Sequence, residues 1–170
     1  MRGATHTGNW KGVIMQDMVK ALLVHNQSET LATLRGVLER LGLNVVQAES
    51  YAQAKRWLGG LNPIPLVFTD AQLPDGNWAD VVAMAGKAAQ PVNVIVVARV
   101  VNTRFYVEVI EYGAFDFIAP PFNATDLAYV VRTAVDNVVA RRTAPSKASP
   151  APAEDLVAEI GQSGRPPATV

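Results

Sequence analysis

The chain has 170 residues, of which 49 % are hydrophobic and 18 % are charged, which is enough for one core-forming domain with extra residues at its ends. Fifteen basic and fifteen acidic residues give no net charge, so charge alone does not indicate binding to nucleic acid or to an anionic membrane. The absence of cysteine excludes disulfides and thiolate metal sites.

The N-terminal residues 1–19 show no clean periodicity, and we expect a poorly ordered leader there, with Met15 or Met18 as alternative start positions. No apolar run approaches the roughly 20 residues of a membrane span, and the leader lacks the apolar region of a signal peptide. We therefore predict a cytoplasmic protein that does not enter a membrane.

Beyond the leader, short apolar runs alternate with segments of helical periodicity. The five runs suit fully buried strands: Ala21–Val24, Val45–Ala48, Leu66–Thr69, Val94–Val97 and Phe115–Ile118. The predicted helices begin at Ser28, Ser50, Trp78, Asn102 and Asn123, and the first, second and fourth end at Gly42, Gly59–Gly60 and Gly113. The last is the clearest, with a continuous apolar stripe of Leu127, Val130, Val131, Ala134, Val135 and Val138.

Strand followed by helix, repeated five times, predicts a parallel sheet, because right-handed crossovers return each strand beside the last. Helices must then cover both faces, so we predict a three-layer, doubly wound α/β domain over residues 20–140. A working site in such a sheet lies at the carboxyl ends of the strands. His25, Asn26, Asp70, Ala98 and Ala119–Pro120 occupy those positions.

The C-terminal residues 143–170 are rich in Pro and Ala and cannot assemble a core, so we predict disorder. Within them, PAEDLVAEIG (152–161) has acids at its start, Leu156 and Ile160 four residues apart, and a closing Gly161. This pattern favours one or two helical turns. A frayed tail and a docking peptide are the two interpretations.

Two motifs give the chain a family resemblance. They are TDAQLPDG (69–76), which closes the third strand, and GAFDFIAPPF (113–122), which contains the fifth. Together with the order of elements, they resemble the receiver domain of two-component response regulators over about residues 20–140. The resemblance implies a flavodoxin-like sheet in the order 2-1-3-4-5, a role in phosphorelay signal transduction, and Asp70 as the phosphoryl acceptor.

The resemblance also implies site residues from which this sequence departs. The family has two acids after the first strand that hold Mg²⁺, a hydroxyl residue after the fourth and a lysine after the fifth. Here His25 and Asn26 replace the acids, Ala98 the hydroxyl residue and Pro120 the lysine. An X-Pro bond before Pro121 takes the cis form at a cost of roughly 1 kcal/mol or less, so we keep the family's cis bond as an expectation.

These departures predict a degraded magnesium site and no other cofactor. Mg²⁺ prefers hard oxygen ligands, and the loss of two carboxylates near a partly screened site weakens binding by several kcal/mol. Millimolar binding corresponds to only about 4 kcal/mol, so little affinity remains. We predict an atypical, stand-alone receiver that is not an enzyme. The alternative is a working phosphoacceptor that a histidine kinase phosphorylates at Asp70.

Individual residues keep two interpretations each. Asp70 is either the phosphoacceptor or a carboxylate that accepts backbone N–H bonds in its loop. His25 is either a packed side chain, bonded to Asp70 or to a carbonyl, or a protonated group whose raised pKa replaces the missing cation. Phe117 holds the family's switch-aromatic position but is more simply a core residue. In the LPDG turn, Asp75 and Gly76 are taken as ordinary turn residues, with Gly76 expected at positive φ.

Without an efficient phosphoryl switch, we expect the domain to act through a surface that binds other proteins. The region around the fourth helix carries aromatic and basic residues, which are enriched at interfaces. The candidates are Arg104, Phe105, Tyr106 and Tyr112, with Arg99 nearby. Signalling proteins, such as a histidine kinase or a downstream target, are the predicted partners, and a homodimer is the alternative. Packing of Phe105 or Tyr106 against the neighbouring helix is the competing interpretation.

Two other functions are less well supported. A flavodoxin-type small-ligand binder would need glycine in the loop after the first strand, and HNQSET (25–30) has none. A DNA-binding regulator needs an output domain, and Thr143–Val170 is too short and too poor in core-forming residues to be one. We therefore predict no DNA partner.

Overall fold

The computed structural model describes residues 19–99 and 102–144. The predictions for the leader before residue 19 and for the tail beyond residue 144, including segment 152–161, lie outside the described residues. The elements, in chain order, are β1 (Lys20–Val24), α1 (Glu29–Arg40), β2 (Asn44–Ala48), α2 (Tyr51–Leu58), β3 (Leu66–Asp70), α3 (Trp78–Gly86), β4 (Asn93–Val97), α4 (Thr103–Glu111), β5 (Asp116–Ile118) and α5 (Ala124–Thr143).

The five strands form one parallel sheet in the order β2-β1-β3-β4-β5, which confirms the predicted topology. Leu22 pairs with Val46 on one side and with Val67 on the other, so β1 lies between β2 and β3, and β3 is the central strand. A separate two-residue ribbon pairs Gln72–Leu73 with Gly76–Asn77 antiparallel, directly after β3. Among the described residues, no helix is long and apolar enough to cross a membrane.

Alternate residues of each strand supply two separate apolar layers. Leu23, Phe68 and Ile95 face α1 and α5, whereas Leu22, Val67 and Val96 face α2, α3 and α4. Burial on both faces explains why the strands are continuous apolar runs and lack a polar alternation. The three-layer prediction is confirmed.

The predicted helix caps form as local hydrogen bonds. The side chain of Ser28 accepts from the N–H of Leu31, and the side chains of Ser50, Asn102 and Asn123 accept in the same manner at α2, α4 and α5. The sequence interpretation missed one cap. Asn77 and Asp80 form a reciprocal capping box that starts α3.

A buried asparagine attaches the end of α5 to the sheet. Asn93, 5 % exposed at the start of β4, donates to the carbonyl of Ala134 at 2.8 Å and to Asn137 at 3.1 Å. Arg141 donates to the Asn93 side chain and to the carbonyl of Val92, both at 2.9 Å. α5 therefore continues to Thr143, past the predicted domain end at residue 140.

Candidate functional site

The carboxyl ends of the strands meet at one edge, as the sequence predicted. In the central register Val24 pairs with Thr69, Asp70 with Val97, and Val97 with Ile118. His25, Asp70 and Ala98 therefore lie at or just after neighbouring strand ends. The fold brings together the predicted site positions that follow β1, β3 and β4.

Asp70 is half-buried as the last residue of β3. Its Oδ1 accepts a hydrogen bond from the backbone N–H of Ala71 at 2.7 Å. Its own carbonyl accepts from the hydroxyl of Thr69 at 3.1 Å. The carboxylate is thus bonded locally to the start of its loop, as the structural interpretation expects, and it remains partly open to solvent.

His25 is 4 % exposed, directly after β1. Its backbone N–H donates to the carbonyl of Ala48 at 2.9 Å, and its Nδ1 accepts from the backbone N–H of Ser28 at 3.2 Å. Nε2 is buried and has no hydrogen-bond partner among the described residues. The packed interpretation is correct, but the partner is the helix-cap backbone, not Asp70 or a carbonyl.

Burial decides the charge of His25. Desolvation lowers the pKa of its imidazole below the ordinary value, and the nearby carboxylates of Asp70 and Glu49 oppose this shift only in part. An Nδ1 that accepts a hydrogen bond also favours the neutral ring. The interpretation in which a raised pKa makes His25 a substitute cation is therefore wrong.

The other substituted positions offer no charge. Asn26 is exposed and precedes Gln27, which has a positive φ of 52°. Ala98 is partly exposed and donates its backbone N–H to the carbonyl of Ile118 at 3.2 Å. Pro120 is exposed, and its bond to Pro121 is cis, as expected from the sequence.

The donor set at this edge is poor in the hard oxygen ligands that a magnesium ion prefers. Asp70 offers a carboxylate and Asn26 an amide oxygen, but His25 offers a ring whose Nδ1 is engaged and whose Nε2 is enclosed. In the described part of the chain, no group of three or more His, Cys, Asp or Glu side chains converges on one point. Mg²⁺ requires several hard oxygen ligands in octahedral geometry.

The sequence interpretation placed Arg99 near the surface around α4, whereas the structure places its side chain at the carboxyl edge of the sheet. Its Nε donates to the hydroxyl of Thr30 at 3.0 Å, which ties the residues after β4 to the first turn of α1. The guanidinium therefore spans between elements on either side of β3. In the sequence, the indication of this location is that Arg99 directly follows Ala98 at the end of β4.

The LPDG turn is built differently from the prediction. The carboxylate of Asp75 accepts from the backbone N–H groups of Tyr51 at 2.7 Å and Ala52 at 2.9 Å, at the start of α2. These bonds lower the pKa of Asp75, the bond from Ala52 contributing most. Asp75 is therefore a second N-terminal cap of α2 and not a plain turn residue.

The expected positive φ at Gly76 is wrong. Positive values occur instead at Gly42 (87°) and Gly113 (109°), where helices end. A Cβ on Gly76 would lie 2.9 Å from Oδ2 of Asp80 and 3.5 Å from Cβ of Tyr51. A side chain at this position would therefore push the Asp80 carboxylate away from its capping-box bond to the N–H of Asn77.

A series of edge-to-face contacts between aromatic rings links β5, α4 and α3. Phe105 lies between Phe117 and Trp78, with ring centroids at 5.7 Å and 5.9 Å. Trp78 also contacts Tyr112 at 5.4 Å, and Tyr106 contacts Phe117 at 6.3 Å. Phe117 is half-buried within this chain, which agrees with a core role.

The predicted interface residues divide into two groups. Phe105 is half-buried between two rings and mainly packs. Arg104 is exposed, and Tyr106 and Tyr112 are 44 % and 54 % exposed. The same helix also exposes Val107 and Ile110, so α4 presents an apolar and aromatic surface to solvent.

Known proteins share this sequence pattern and fold. The family model described as response regulator receiver domain matches residues 21–132. The DNA-binding transcriptional regulator NtrC of Azospirillum brasilense is 28 % identical over 148 residues, which are 86 % of this chain and 30 % of that protein. The response regulator protein PilR of Pseudomonas aeruginosa is 28 % identical over 116 residues, 68 % of this chain and 26 % of that protein.

The chain thus spans about a third or less of the length of these curated relatives. Solved structures agree on the fold. The signal receiver domain of a putative LuxO repressor from Vibrio parahaemolyticus has a TM-score of 0.64 at 24 % identity, and it covers 74 % of this chain and 95 % of that one. The beryllofluoride-activated receiver domain dimer of NtrC4 has a TM-score of 0.63 at 21 % identity, covering 71 % and 99 %.

Proposed function

The chain belongs to the response regulator receiver domain family of two-component signalling, and from this membership we propose that it acts as a protein-binding module whose Asp70 is not efficiently phosphorylated. It does so in phosphorelay signalling, without a resident magnesium ion and without catalytic turnover. The proposal concerns this domain alone, since the curated relatives are much longer.

The state of His25 carries this proposal. A buried, neutral imidazole occupies the first metal-ligand position, and its Nδ1 accepts from the backbone N–H of Ser28, the residue that caps the following helix. Neither it nor exposed Asn26 brings the negative charge that attracts a divalent cation beside Asp70. A dianionic phosphoryl group approaching a carboxylate without such a cation meets uncompensated repulsion.

The exposed side of α4 is the proposed binding surface. It combines the Arg104 guanidinium with the rings of Tyr106 and Tyr112, the residue types that most often anchor interfaces. Partners are signalling proteins, such as a kinase or a downstream target, and a second copy of the chain is the alternative. A relative of the same fold, the NtrC4 receiver domain, is described as a dimer.

A labelling experiment tests the proposal. Purified protein is incubated with ³²P-labelled acetyl phosphate and millimolar Mg²⁺, with Asp70→Asn as the matched control. We expect no acid-labile, hydroxylamine-sensitive label on the wild-type chain above that on the control. Clear incorporation at Asp70 would overturn the proposal.

The alternative function is a working phosphoacceptor. Its support is the placement of Asp70, which ends β3 as a partly exposed carboxylate. A kinase that supplies its own positive charge could phosphorylate it where a small phosphodonor does not. Transfer of label from a phosphorylated histidine kinase to the wild-type chain, and not to Asp70→Asn, would favour this alternative.

The binding surface has its own test. Arg104→Glu combined with Tyr106→Ala should weaken partner capture or self-association, since both side chains are exposed on α4. Arg40→Glu, an exposed change at the end of α1 on the other face of the sheet, is the control. Unchanged binding in the double variant would show that this is the wrong surface.

A further inference from the structure

A groove of about 340 Å³ lies at the amino-terminal edge of the sheet, opposite Asp70. The start of β1, the end of α2 and the residues before β3 form its walls, which include Lys20, Gln53, Arg56, Trp57, Leu61 and Ile64. Trp57 is 41 % exposed and Leu61 is fully exposed. Two large apolar side chains are therefore left in solvent around one concave surface, which the function of the opposite edge does not explain.

The charged residues that line this groove are basic. Lys20 and Arg56 lie in its walls, and Lys55 is their neighbour on α2. No acidic residue occurs in the sequence from Ser50 to Thr69. A fitting occupant is an acidic segment with apolar side chains on one side.

We propose that residues 152–161 of this same chain, PAEDLVAEIG, bind in this groove. The segment has three acids and no basic residue, and its sequence pattern places Leu156 and Ile160 four residues apart. On a helical turn these two side chains share a face. They would cover Trp57 and Leu61, while the acids lie beside the basic wall.

The tether has the length that this docking requires. α5 ends at Thr143 at the same edge as the groove, where Arg141 bonds to the carbonyl of Val92 just before β4. Asn93 pairs with Leu66, and Leu66 with Ala21. Two strand spacings, about 10 Å in all, therefore separate the anchored end of α5 from β1.

α5 and α2 lie on opposite faces of the sheet, so passing from one helical layer to the other adds roughly two helix diameters, about 20 Å, and the straight-line distance is then about 22 Å. Residues 145–151 connect α5 to the segment, and even this proline-containing linker of seven residues, with eight steps from Ala144 to Pro152, spans up to about 25 Å. A tether of this size gives an effective concentration in the millimolar range. An intrinsic affinity of about 1 mM is then enough to keep roughly half of the molecules docked.

A spin label tests the docking directly. Because the chain has no cysteine, Ser163→Cys provides a single labelling position just beyond the segment. In ¹⁵N spectra of the full chain, we expect the nitroxide to broaden the Trp57 indole and Leu61 amide signals and to leave signals at the Asp70 edge sharp. Groove signals that stay sharp would overturn the proposal.

Two test variants of the spin-labelled chain, each with its own control variant, identify the contacts. Leu156→Ser with Ile160→Ser should restore the groove signals several-fold, whereas Ala158→Ser should not. Arg56→Glu should also restore them, and Lys87→Glu, a basic position at the end of α3 on the same edge, should not. Equal effects of test and control variants would overturn the assigned contacts.

A mixing experiment separates this occupant from a second copy. Protein of natural isotopic abundance that carries the nitroxide is mixed with ¹⁵N-labelled protein that carries no nitroxide. We expect sharp groove signals, because docking occurs within one molecule. Broadening in the mixture would show that the groove binds another copy, which would overturn docking within the chain. The result does not depend on whether Asp70 accepts phosphate.

Discussion

At the scale of single residues, His25 combines nearly complete burial with a neighbouring carboxylate. The desolvation of the ring outweighs the attraction of Asp70, so its pKa lies below the ordinary value of 6.5. Ser28 N–H occupies Nδ1 and fixes the ring in place. The same residue thus supports the start of α1 and brings no positive charge of its own to the position after β1.

This lowered pKa predicts a pH dependence of stability. The unfolded chain takes up a proton at His25 near pH 6.5, and the folded chain does so only at lower pH. The free energy of unfolding should therefore decrease as the pH falls from 6.5 to the folded pKa, by at most about 1.4 kcal/mol per pH unit. Urea unfolding between pH 7.5 and 5.5 measures it.

His25→Asn supplies the comparison, because its amide oxygen can accept from Ser28 but does not titrate. The variant should lose this part of the slope. His6→Asn, the change at the chain's other histidine, controls for the loss of an imidazole. A wild-type stability that rises between pH 6.5 and 5.5 relative to His25→Asn would contradict the lowered pKa.

Two neighbouring aromatic residues on α4 should differ in their effect on stability. Phe105 contacts two rings, whereas Tyr106 is 44 % exposed. We expect Phe105→Ala to lower the free energy of unfolding by about 2–3 kcal/mol and Tyr106→Ala by less than about 1 kcal/mol. Chemical denaturation of both variants checks this, and equal losses would mean that the two side chains are buried alike.

At the scale of elements, α2 begins with two caps from different parts of the chain. Ser50 accepts from the N–H of Gln53 in the usual local manner. Asp75 arrives from the turn after β3 and accepts from Tyr51 and Ala52. A negative charge at a helix N-terminus is also favoured by the helix dipole. The turn that follows Asp70 is therefore attached to a helix two elements earlier.

Removing this second cap should destabilise the protein in a pH-dependent way. The pKa of Asp75 is lowered, so its contribution is present above its ordinary pKa of 3.8 and is lost as the pH falls through the folded value. Asp75→Ala should lower Tm at pH 7, and the difference from wild type should shrink below pH 3.8. Thermal unfolding followed by circular dichroism measures both.

Asp126→Ala is a suitable control for this change, since Asp126 is an exposed acid in the first turn of α5. It should lower Tm less than Asp75→Ala at pH 7. A difference between Asp75→Ala and wild type that persists unchanged in acid would show that the carboxylate charge is not the cause.

At the scale of the whole molecule, the two edges of the sheet carry different chemistry. The carboxyl edge holds the Asp70 carboxylate beside the uncharged side chains of Asn26 and Ala98. The amino edge holds a basic, apolar groove near the end of α5. The apolar core is continuous on both sheet faces, so the substituted residues at the carboxyl edge are compatible with the receiver scaffold.

Rebuilding the site should therefore restore phosphorylation. The rebuilt variant combines His25→Asp, Asn26→Asp, Ala98→Thr and Pro120→Lys. With acetyl phosphate and Mg²⁺, we expect Asp70 of this variant to incorporate at least about ten times as much label as wild type. A tenfold gain corresponds to roughly 1.4 kcal/mol, which the two new carboxylates should supply by binding Mg²⁺. The same four changes with Asp70→Asn control for other acceptors. Equal labelling of wild type and rebuilt chains would contradict the electrostatic argument.

The strands and helices, and their order along the chain, were predictable because the sequence patterns that indicate them are local. Continuous apolar runs indicated strands buried on both faces, and Ser28, Ser50 and Asn123 marked helix starts that the structure confirms. The order β2-β1-β3-β4-β5 followed from the family resemblance. The positions of His25, Asp70 and Ala98 at one edge followed from the parallel arrangement alone.

The sequence by itself therefore determined the fold, the edge at which the site lies and the residue types found there. Only the tertiary structure decided that Asp75 caps α2, that a side chain at position 76 would meet the Asp80 carboxylate, that Arg99 reaches Thr30, and that Trp78 joins the rings of α4. It also decided the charge of His25, because a pKa depends on how much water and which carboxylates surround the ring. Those surroundings come from residues distant in sequence, and no local pattern specifies them.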